Sequence, residues 1–328
     1  MDAFDLPINL NRLRLFLAVV EHGGVRRAAE AIGISQPAVS QAIHALEAEV
    51  GLSLLERVGR GVRPTTAGLT LVEHGRRVMT EAIATRDAID GLKGLARGSL
   101  ALGASTTLGI YVLPDPLGVF HQRYPAIDLS LNVANTRDIL TLLRDGRLDL
   151  AFVEGSVRDD DLEATSFLAD ELIAIVPPDS DLAQRDALTA QDLAGAPFLM
   201  REEGSGTREV VDRAFAAWGI AANVMMELGH TEAIKNAVSA GLGISILSQL
   251  TVAREIADGR LATRPIAMGS VTRPFLTVQR RSSRLSPASR AFLDIMRGAI
   301  SLAASSSDLG EPQGFVLRTT GLHAPSRS

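Results

Sequence analysis

Residues 25–49 constrain the fold of this chain more than any other stretch. Apolar residues recur at a helical spacing through the first eight positions, and Gly33 then interrupts the pattern as a residue in a left-handed turn does. Ser35 is a good N-cap for a second helix, and Pro37 lies in the first turn of that helix, where a missing N–H costs nothing. The stretch predicts a helix-turn-helix, which enters the DNA major groove by the start of its second helix. An ordinary helical hairpin is the plainer alternative.

The segments on either side supply the other parts of a small DNA-binding domain. Asn11 to Glu21 has one apolar face and predicts the third helix that such a domain needs for a core. Two short extended runs between Gly51 and Thr65 predict a β-hairpin wing. The arginines of this wing are Arg57, Arg60 and Arg63. Grouped arginines can contact phosphates even though acidic residues balance the arginines of the first 65 positions. A plain polar loop is the alternative.

A single long helix is predicted from Thr66 to Leu95, where apolar residues recur at spacings near three and four. A helix of this length on a small domain favours pairing with a copy of itself. Two-fold pairing would place two recognition helices on successive major-groove faces, about 34–36 Å apart. The alternative is a helix packed against its own chain.

From Ser99 onward, strand and helix patterns alternate, which predicts a parallel sheet with crossover helices. The predicted strands are 100–104, 128–135, 148–153, 172–176, 198–200, 224–228, 244–247 and 275–280. The predicted helices are 105–124, 138–144, 208–218, 231–240, 249–257 and 286–302. They form two lobes, with a cleft where the chain crosses near 164–169 and 265–274. The residues after 302 are rich in Ser, Gly and Pro, and we expect them to be disordered.

Composition narrows the classes of function. The chain has no cysteine, which excludes disulfides, thiolate metal sites and thiol-based redox sensing. Neither a signal peptide nor an apolar run of membrane length is visible, so we expect a cytoplasmic protein that does not enter a membrane. The histidines lack metal-ligand spacing, and neither a P-loop nor a G-x-S-x-G nucleophile elbow is present. We therefore expect no metal, no cofactor and no enzymatic activity.

Polar residues at helix starts indicate a ligand site between the lobes. Ser105, Thr106 and Thr107 follow the first predicted strand of the α/β region. A second run follows the strand at 198–200 and comprises Gly204, Ser205, Gly206, Thr207 and Arg208. Asn135 and Thr136 follow a third strand and could close the site. Free backbone N–H groups and hydroxyls at such positions favour an anionic ligand, which could be sulfate-like or sulfite-like, phosphorylated, or a carboxylate. The plainer reading is that these residues only cap helices.

The assembled motifs resemble those of the LysR family of transcriptional regulators over residues 10–302. The motifs that carry the resemblance are Arg27-Ala28-Ala29-Glu30, Ile34 to Ser40, Leu46-Glu47, Gly51-Leu52, Leu54 to Arg57, and Arg63 to Gly68. Two positions depart from the family pattern. Gly24-Val25-Arg26 replaces a hydroxyl-bearing helix start, and Leu55 stands where the family mostly has Phe.

The resemblance implies an α/β protein with an N-terminal all-α winged helix-turn-helix and a two-lobed effector domain like a periplasmic binding protein. The implied domains are residues 1–65 for DNA binding, 66–97 for the dimerising linker helix, and 98–302 for effector binding, followed by a tail, 303–328. Lobe I would comprise about 98–165 and 270–302, and lobe II about 166–269. The implied partners are promoter DNA, RNA polymerase, a small effector and further copies of the chain in a homodimer or homotetramer.

The start of the second motif helix is expected to read DNA. Gln36 beside Pro37 can make a bidentate contact to adenine, and Ser40 and Gln41 follow on the same face. Four other residues suit phosphates, which position a protein without specifying sequence: Ser35, Arg57, Arg63 and Thr65.

Three loop sequences resemble the branch of the family that includes regulators of sulfur assimilation and of carbon dioxide fixation. They are Glu-Gly-Ser-Gly-Thr-Arg, Gly-Ala-Ser-Thr-Thr and Val-Ala-Asn-Thr-Arg-Asp. That branch implies sulfate or sulfite in one group, and phosphorylated metabolites or NADPH in the other, and the sequence does not choose between them. The chain is thus expected to be a ligand-modulated activator or repressor. The alternative is a solute-binding or enzymatic α/β protein whose N-terminal helices serve only for assembly.

Overall fold

The computed structural model describes residues 8–58, 61–91 and 98–307. The chain divides into two compact units, one within Met1–Arg86 and Asp145–Arg147 and the other within Asp87–Arg144 and Leu148–Ser328. Within the described residues, no helix combines the length and the apolar character needed to cross a membrane.

The first unit begins with three short helices that enclose a small apolar core. They are α1 (Leu10–Glu21), α2 (Val25–Ile32) and α3 (Gln36–Val50). Gly33 ends α2 in the left-handed conformation, as the sequence predicts, and the Ser35 hydroxyl accepts a hydrogen bond from the Ala38 N–H at the start of α3. Fully buried Phe16, Val39 and Leu46 lie in the shared core. The predicted helix-turn-helix is confirmed.

The predicted wing is an antiparallel hairpin of β1 (Leu55–Val58) and β2 (Gly61–Pro64). The Glu47 carboxylate of α3 accepts the backbone N–H of Leu54 at 2.8 Å, which ties the recognition helix to the start of the wing. Arg60, at the predicted tip, lies outside the described residues. The long helix is α4 (Thr66–Gly91), and the predicted continuation to Leu95 also lies outside them.

The second unit is an α/β region. Its helices are α5 (Thr106–Tyr111), α6 (Pro114–Arg123), α7 (Thr136–Arg144), α8 (Ala190–Gly195), α9 (Gly206–Trp218), α10 (Thr231–Ser239), α11 (Gln249–Ala257) and α12 (Pro287–Ser307). Its strands are β3 (Gly98–Ser105), β4 (Ile127–Ala134), β5 (Leu150–Glu154), β6 (Leu162–Val176), β7 (Phe198–Arg201), β8 (Val224–Leu228), β9 (Ser245–Ser248), β10 (Ala262–Arg264) and β11 (Val271–Arg280).

The larger sheet is mixed rather than wholly parallel. β3 lies parallel to both β4 and β5, and β7 lies parallel to β8 in a separate pair. β6 and β11, however, run antiparallel from the pair Val271–Leu172 to the pair Arg280–Leu162. These two strands pass through both lobes. The segments predicted as crossings near 164–169 and 265–274 are therefore largely paired strand.

Two predicted elements need correction. The single helix expected from 105 to 124 is divided into α5 and α6, because Pro114 lacks the N–H that a continuous helix would use. The final helix extends to Ser307, so residues 303–307 belong to α12 and not to a disordered tail. The remainder of the predicted tail, 308–328, lies outside the described residues. The sequence prediction also missed α8 and β10.

Each of the two lobes has its own apolar core. In lobe I, α6 and α12 pack on the sheet, with Phe120, Phe152 and Phe292 among the fully buried side chains. In lobe II, Phe198 packs edge-on against Phe215 of α9 within another cluster. Between these cores, the carboxyl ends of several strands meet the starts of α5, α7 and α9.

Candidate functional site

The start of α3 presents polar side chains to solvent. Ser35, Gln36, Pro37 and Gln41 are exposed, and Ser40 is half-buried. The buried face of the same helix carries Val39 and Leu46, so packing fixes which side turns outward. The outward side combines hydroxyl and amide groups, which can hydrogen-bond base edges in a major groove.

The wing residues differ in whether their side chains are already bonded within the protein. Arg57 and Arg63 are both exposed, and Arg63 Nε pairs with the Glu56 carboxylate on the neighbouring strand. Thr65 already uses its hydroxyl internally, because it donates to the Ser53 carbonyl at 2.7 Å and accepts from the Gly68 N–H at 3.1 Å. Thr65 thus orders the junction between the wing and α4.

Between the lobes, a buried polar cluster is centred on Arg273 of β11. Its guanidinium Nε donates to Asp170 at 2.7 Å, and Nη1 lies 3.4 Å from a Glu154 carboxylate oxygen. The same guanidinium reaches two predicted ligand-binding hydroxyls, Thr207 at 2.8 Å and Thr107 at 3.4 Å. Arg273 therefore joins the start of α5 to the start of α9.

Glu154 lies at the end of β5 and is buried within this cluster. Its carboxylate accepts a hydrogen bond from the Ser105 hydroxyl. Burial raises the pKa of Glu154 above its ordinary value, although the positive charges of Arg273 and Arg201 act in the opposite direction. The Glu154 side chain therefore favours the neutral form more than an exposed carboxyl does.

A second buried arginine, Arg201 at the end of β7, borders the same region. Its Nη1 donates to the Thr231 hydroxyl at 3.1 Å, and its Nη2 lies 3.5 Å from the Thr106 hydroxyl. The neighbouring Glu202 accepts from Nε at 2.7 Å and balances the charge. Both lobes thus contribute cationic and hydroxyl groups to one polar region.

Two buried hydroxyls in this region have no hydrogen-bond partner among the described residues: Thr136 Oγ1 and Ser205 Oγ. Ser205 occupies the N-cap position of α9, and Thr136 begins α7. Gly206 lets these two starts approach, because an added Cβ would lie 2.9 Å from Thr136 Oγ1 and 2.4 Å from the Glu154 carbonyl oxygen. Buried polar atoms are nearly always satisfied, so these hydroxyls indicate a place for a ligand or water.

Three other predicted residues have different surroundings. Asn135 caps α7, since its side-chain oxygen accepts the Asp138 N–H at 2.9 Å. Gly204 accepts the Arg137 N–H through its carbonyl at 3.1 Å, which links the lobes by backbone. Arg208 pairs with Asp212 and Glu227, and its Nη1 donates to the Arg201 carbonyl at 2.9 Å. The structure therefore supports a helix-capping role for the Asn135 side chain.

Sequence reasoning missed the charged members of the cluster, namely Arg273, Glu154, Asp170 and Arg201. A usable signal was present, because each is a charged residue within or ending an apolar strand, where charges are rarely buried without partners. Local sequence did not reveal which of these strands are neighbours.

Comparison with known families matches both units. The family described as "Bacterial regulatory helix-turn-helix protein, lysR family" matches residues 10–69. The family described as "LysR substrate binding domain" matches residues 93–301.

Several individual proteins are similar over most of their length. The RuBisCO operon transcriptional regulator of Allochromatium vinosum is 37% identical over 291 residues, which cover 89% of this chain and 96% of that protein. A full-length OxyR variant from Pseudomonas aeruginosa superposes with a TM-score of 0.72 at 25% identity, covering 90% of this chain and 95% of its own. The regulatory domain of CcmR from Synechocystis PCC6803, solved in complex with 2-PG, gives a TM-score of 0.59 at 34% identity and covers 62% and 98% respectively.

Proposed function

Because the chain belongs to the LysR family of bacterial transcriptional regulators, we propose that a small anion bound between its lobes controls its action at a promoter. The chain is a DNA-binding regulator with an effector-binding domain. The family is not enzymatic, which confirms the expectation that this chain is not an enzyme and sets aside the enzymatic alternative.

The two unpartnered hydroxyls carry the proposal of an anionic effector. Thr136 begins α7, and Ser205 caps the start of α9, a helix of 13 residues whose first N–H groups and dipole favour negative charge. Arg273 and Arg201 add positive charge to the same region. Their carboxylate partners keep the region close to neutral, so an incoming anion is accommodated best when Glu154 is protonated.

Among anions, we propose a phosphorylated metabolite. The similarity to a RuBisCO operon regulator, and to a CcmR domain solved with 2-PG, supports the carbon-dioxide-fixation branch over the sulfur-assimilation branch. Sulfate, sulfite, NADPH and carboxylates are the competing ligands. A thermal-shift and calorimetry series with 2-PG, sugar phosphates, inorganic phosphate, sulfate, sulfite and NADPH separates these possibilities. Binding of sulfate or sulfite alone would reject the phosphorylated class.

The unpartnered hydroxyls give a direct test of the site. Thr136→Val and Ser205→Ala remove groups that make no internal hydrogen bond, so the free energy of unfolding should change by no more than about 1 kcal/mol. Effector affinity should fall roughly tenfold for each lost hydrogen bond, since about 1.4 kcal/mol corresponds to that factor. Calorimetric titration with the best ligand of the series measures this loss.

Thr141→Val is the matched control, because Thr141 lies exposed on the same helix as Thr136 and donates only to the Arg137 carbonyl. Its effector affinity should equal that of the unmodified chain. Equal affinities in all three variants would reject the site. Ser105→Ala and Thr207→Val, which loosen the contacts of Glu154 and Arg273, should also abolish the effector response while basal DNA binding persists.

DNA recognition is assigned to the exposed start of α3, with Gln36 reading a base, Ser40 and Gln41 beside it, and the arginines of the wing on phosphates. Gln36→Ala should weaken binding to the specific operator by about 1–3 kcal/mol while non-specific binding stays unchanged. Fluorescence anisotropy with flanking intergenic DNA at moderate salt measures both. Gln122→Ala, an identical change at an exposed position of α6, is the control.

The proposed assembly follows the predicted domains. Residues 1–65 bind DNA, α4 within residues 66–97 forms the dimer, and residues 98–302 bind the effector. Effector binding would change the arrangement of the lobes, and hence the geometry of a homodimer or homotetramer on DNA and its contact with RNA polymerase. An effector can do this only through different affinities for the two arrangements. Activation and repression are both compatible with this scheme and are distinguished by transcription assays with and without effector.

A further inference from the structure

A groove in lobe I lies further along the two strands that carry Arg273 and Asp170, at residues 163–167 of β6 and 277–279 of β11. Its cavity volume is about 410 Å³, and it is lined by β6, β11 and α12. The apolar lining is Leu150, Phe167, Leu285, Leu293, Met296 and Ile300. Glu163 and Arg297 supply the charges.

One wall of the groove is a face of the sheet formed by paired residues of β6 and β11, and this face ends at an open edge of β6. Over residues 162–171, β6 pairs with β11 on one side, and β9 and β10 join β6 only from Leu172 onward. Among the described strands, the other edge of this segment therefore has no partner. The residues from Glu163 to Ser166 are exposed. An exposed strand edge offers unpaired N–H and C=O groups that a further strand can use.

The opposite wall is the last helix, from which the chain's C-terminal residues depart. Leu293, Met296 and Ile300 of α12 line the groove, and α12 ends at Ser307. The segment 308–328 follows directly. Seven residues, 308–314, span up to about 25 Å when extended, whereas the α12 turns from Leu293 to Ser307 rise about 21 Å. The C-terminal segment can therefore return along the whole groove.

The sequence of that segment fits the groove. Phe-Val-Leu-Arg-Thr-Thr, residues 315–320, stands between Gly314 and Gly321 and has the composition of a strand. Alternation along a strand would turn Phe315 and Leu317 to one side, toward the apolar lining. Arg318 is also opposite in charge to Glu163 at the open edge. The match to the effector-domain family ends at residue 301, before this segment begins.

We propose that residues 315–320 dock in this groove as an added strand on the open edge of β6. We identify the occupant as the chain's own C-terminal segment for three reasons. The segment contains an apolar run, it is long enough to reach along the groove, and it begins at the end of α12, which lines the groove. The proposal is independent of the identity of the effector. Docking would cover the apolar lining and the free backbone groups of 162–171 at once.

The absence of native cysteine allows a clean cross-linking test. Thr165→Cys on β6 is combined in turn with Phe315→Cys, Leu317→Cys or Thr319→Cys in the full chain, under mild oxidation. At least one pair should form an intramolecular disulfide about tenfold faster than the control pair, Thr141→Cys with Leu317→Cys. The reason is that docking raises the local concentration of the C-terminal cysteine near β6 above that of an undocked, tethered segment. Peptide mass spectrometry identifies the linked residues.

The remaining outcomes overturn the proposal. Disulfides between two chains, seen as a dimer on a non-reducing gel, would make a second copy the occupant. Rates equal to the control in all three pairs would mean that the segment does not dock. As a second measurement, a chain ending at Ser307 should show several-fold faster amide hydrogen exchange over 162–168 than the full chain, and unchanged exchange would likewise reject docking.

Discussion

At the scale of single residues, Glu154 is a carboxyl of the cluster between the lobes whose pKa is raised by burial. It faces Arg273 of β11, Arg201 of β7, Asp170 of β6 and the Ser105 hydroxyl of β3. Desolvation raises its pKa in the folded protein, so the folded state holds a proton that the unfolded state has lost. Stability therefore falls as pH rises from the unfolded pKa, about 4.3, to the folded pKa, and is level above it.

The same group should make effector binding depend on pH. Above the folded pKa of Glu154, its carboxylate would repel the proposed anionic effector, so affinity should decline as pH rises. Glu154→Gln should remove most of this dependence and tighten anion binding at high pH by about tenfold, or ~1.4 kcal/mol. Calorimetric titrations from acid to mildly alkaline pH measure it. Glu171→Gln, at an exposed carboxylate of β6, is the control, and identical pH profiles for Glu154→Gln and the unmodified chain would contradict the prediction.

Sequence reasoning reached the hydroxyls of this cluster but not its charges. Ser105, Thr107 and Thr207 are visible because a hydroxyl at a helix start follows from a local pattern of a few residues. Arg273 and Asp170 become neighbours only through the antiparallel register of β11 and β6, in which residues 273 and 170 are partners. That register joins positions about a hundred residues apart, and it depends on packing between strands rather than on local propensity.

At the scale of elements, α5 connects the polar cluster to a second contact between the lobes. Thr106 and Thr107 lie at its start, and Tyr111 lies at its end. The Tyr111 hydroxyl donates to Glu232 of α10, and Lys235 Nζ approaches it at 3.2 Å. Burial, followed by the hydrogen bond to Glu232, raises the pKa of Tyr111 to about 12, so the hydroxyl stays protonated at physiological pH.

Tyr111→Phe should remove this contact between the lobes without leaving Lys235 unpaired, because Lys235 also donates to the Thr251 carbonyl at 2.8 Å and Glu255 at 3.1 Å. The free energy of unfolding should fall by about 1 kcal/mol in chemical denaturation. The concentration of effector at half-response should also shift, since α5 carries both contacts. Tyr124→Phe is the control, because its hydroxyl has no hydrogen-bond partner among the described residues. Equal stability of both variants would count against a role for the Tyr111 contact.

The boundaries of the helices and strands show where a local sequence signal was sufficient to predict the structure. The helices of the first unit begin and end at glycine and serine signals that act within one turn, and the sequence located them closely. The break between α5 and α6 also has a local signal, because Pro114 stands at the start of α6. The apolar periodicity on both sides of Pro114 nevertheless favoured a single helix in the sequence prediction. The first half of β6, by contrast, is mostly exposed and lacks an apolar run, so only its pairing with β11 defines it as strand.

At the scale of the whole molecule, the surface of α4 bears on assembly. One side of α4 packs on the first unit's core through Leu71, Val72 and Met79. Another side carries Val78, Ala82, Thr85 and Ile89 at spacings of four, three and four, the repeat of a two-helix seam. Val78 and Ile89 are 48% and 54% exposed in the isolated chain. Three of these four residues are apolar, Ala82 is half-buried, and the exposed Val78 and Ile89 favour a second α4 as the partner.

Val78→Glu and Ile89→Glu should each dissociate the proposed homodimer, because a carboxylate in the seam would be desolvated opposite its own copy. Light scattering after size exclusion should show a monomer where the unmodified chain is dimeric or larger. DNA affinity should fall most for sites with two half-sites about 34–36 Å apart, and little for a single half-site, since only the dimer engages both at once. Leu69→Glu makes the same change at a position 57% exposed, half a turn round the helix, and should leave assembly intact. A dimer that survives both seam substitutions would place the partner surface elsewhere and return α4 to the alternative of a helix packed on its own chain.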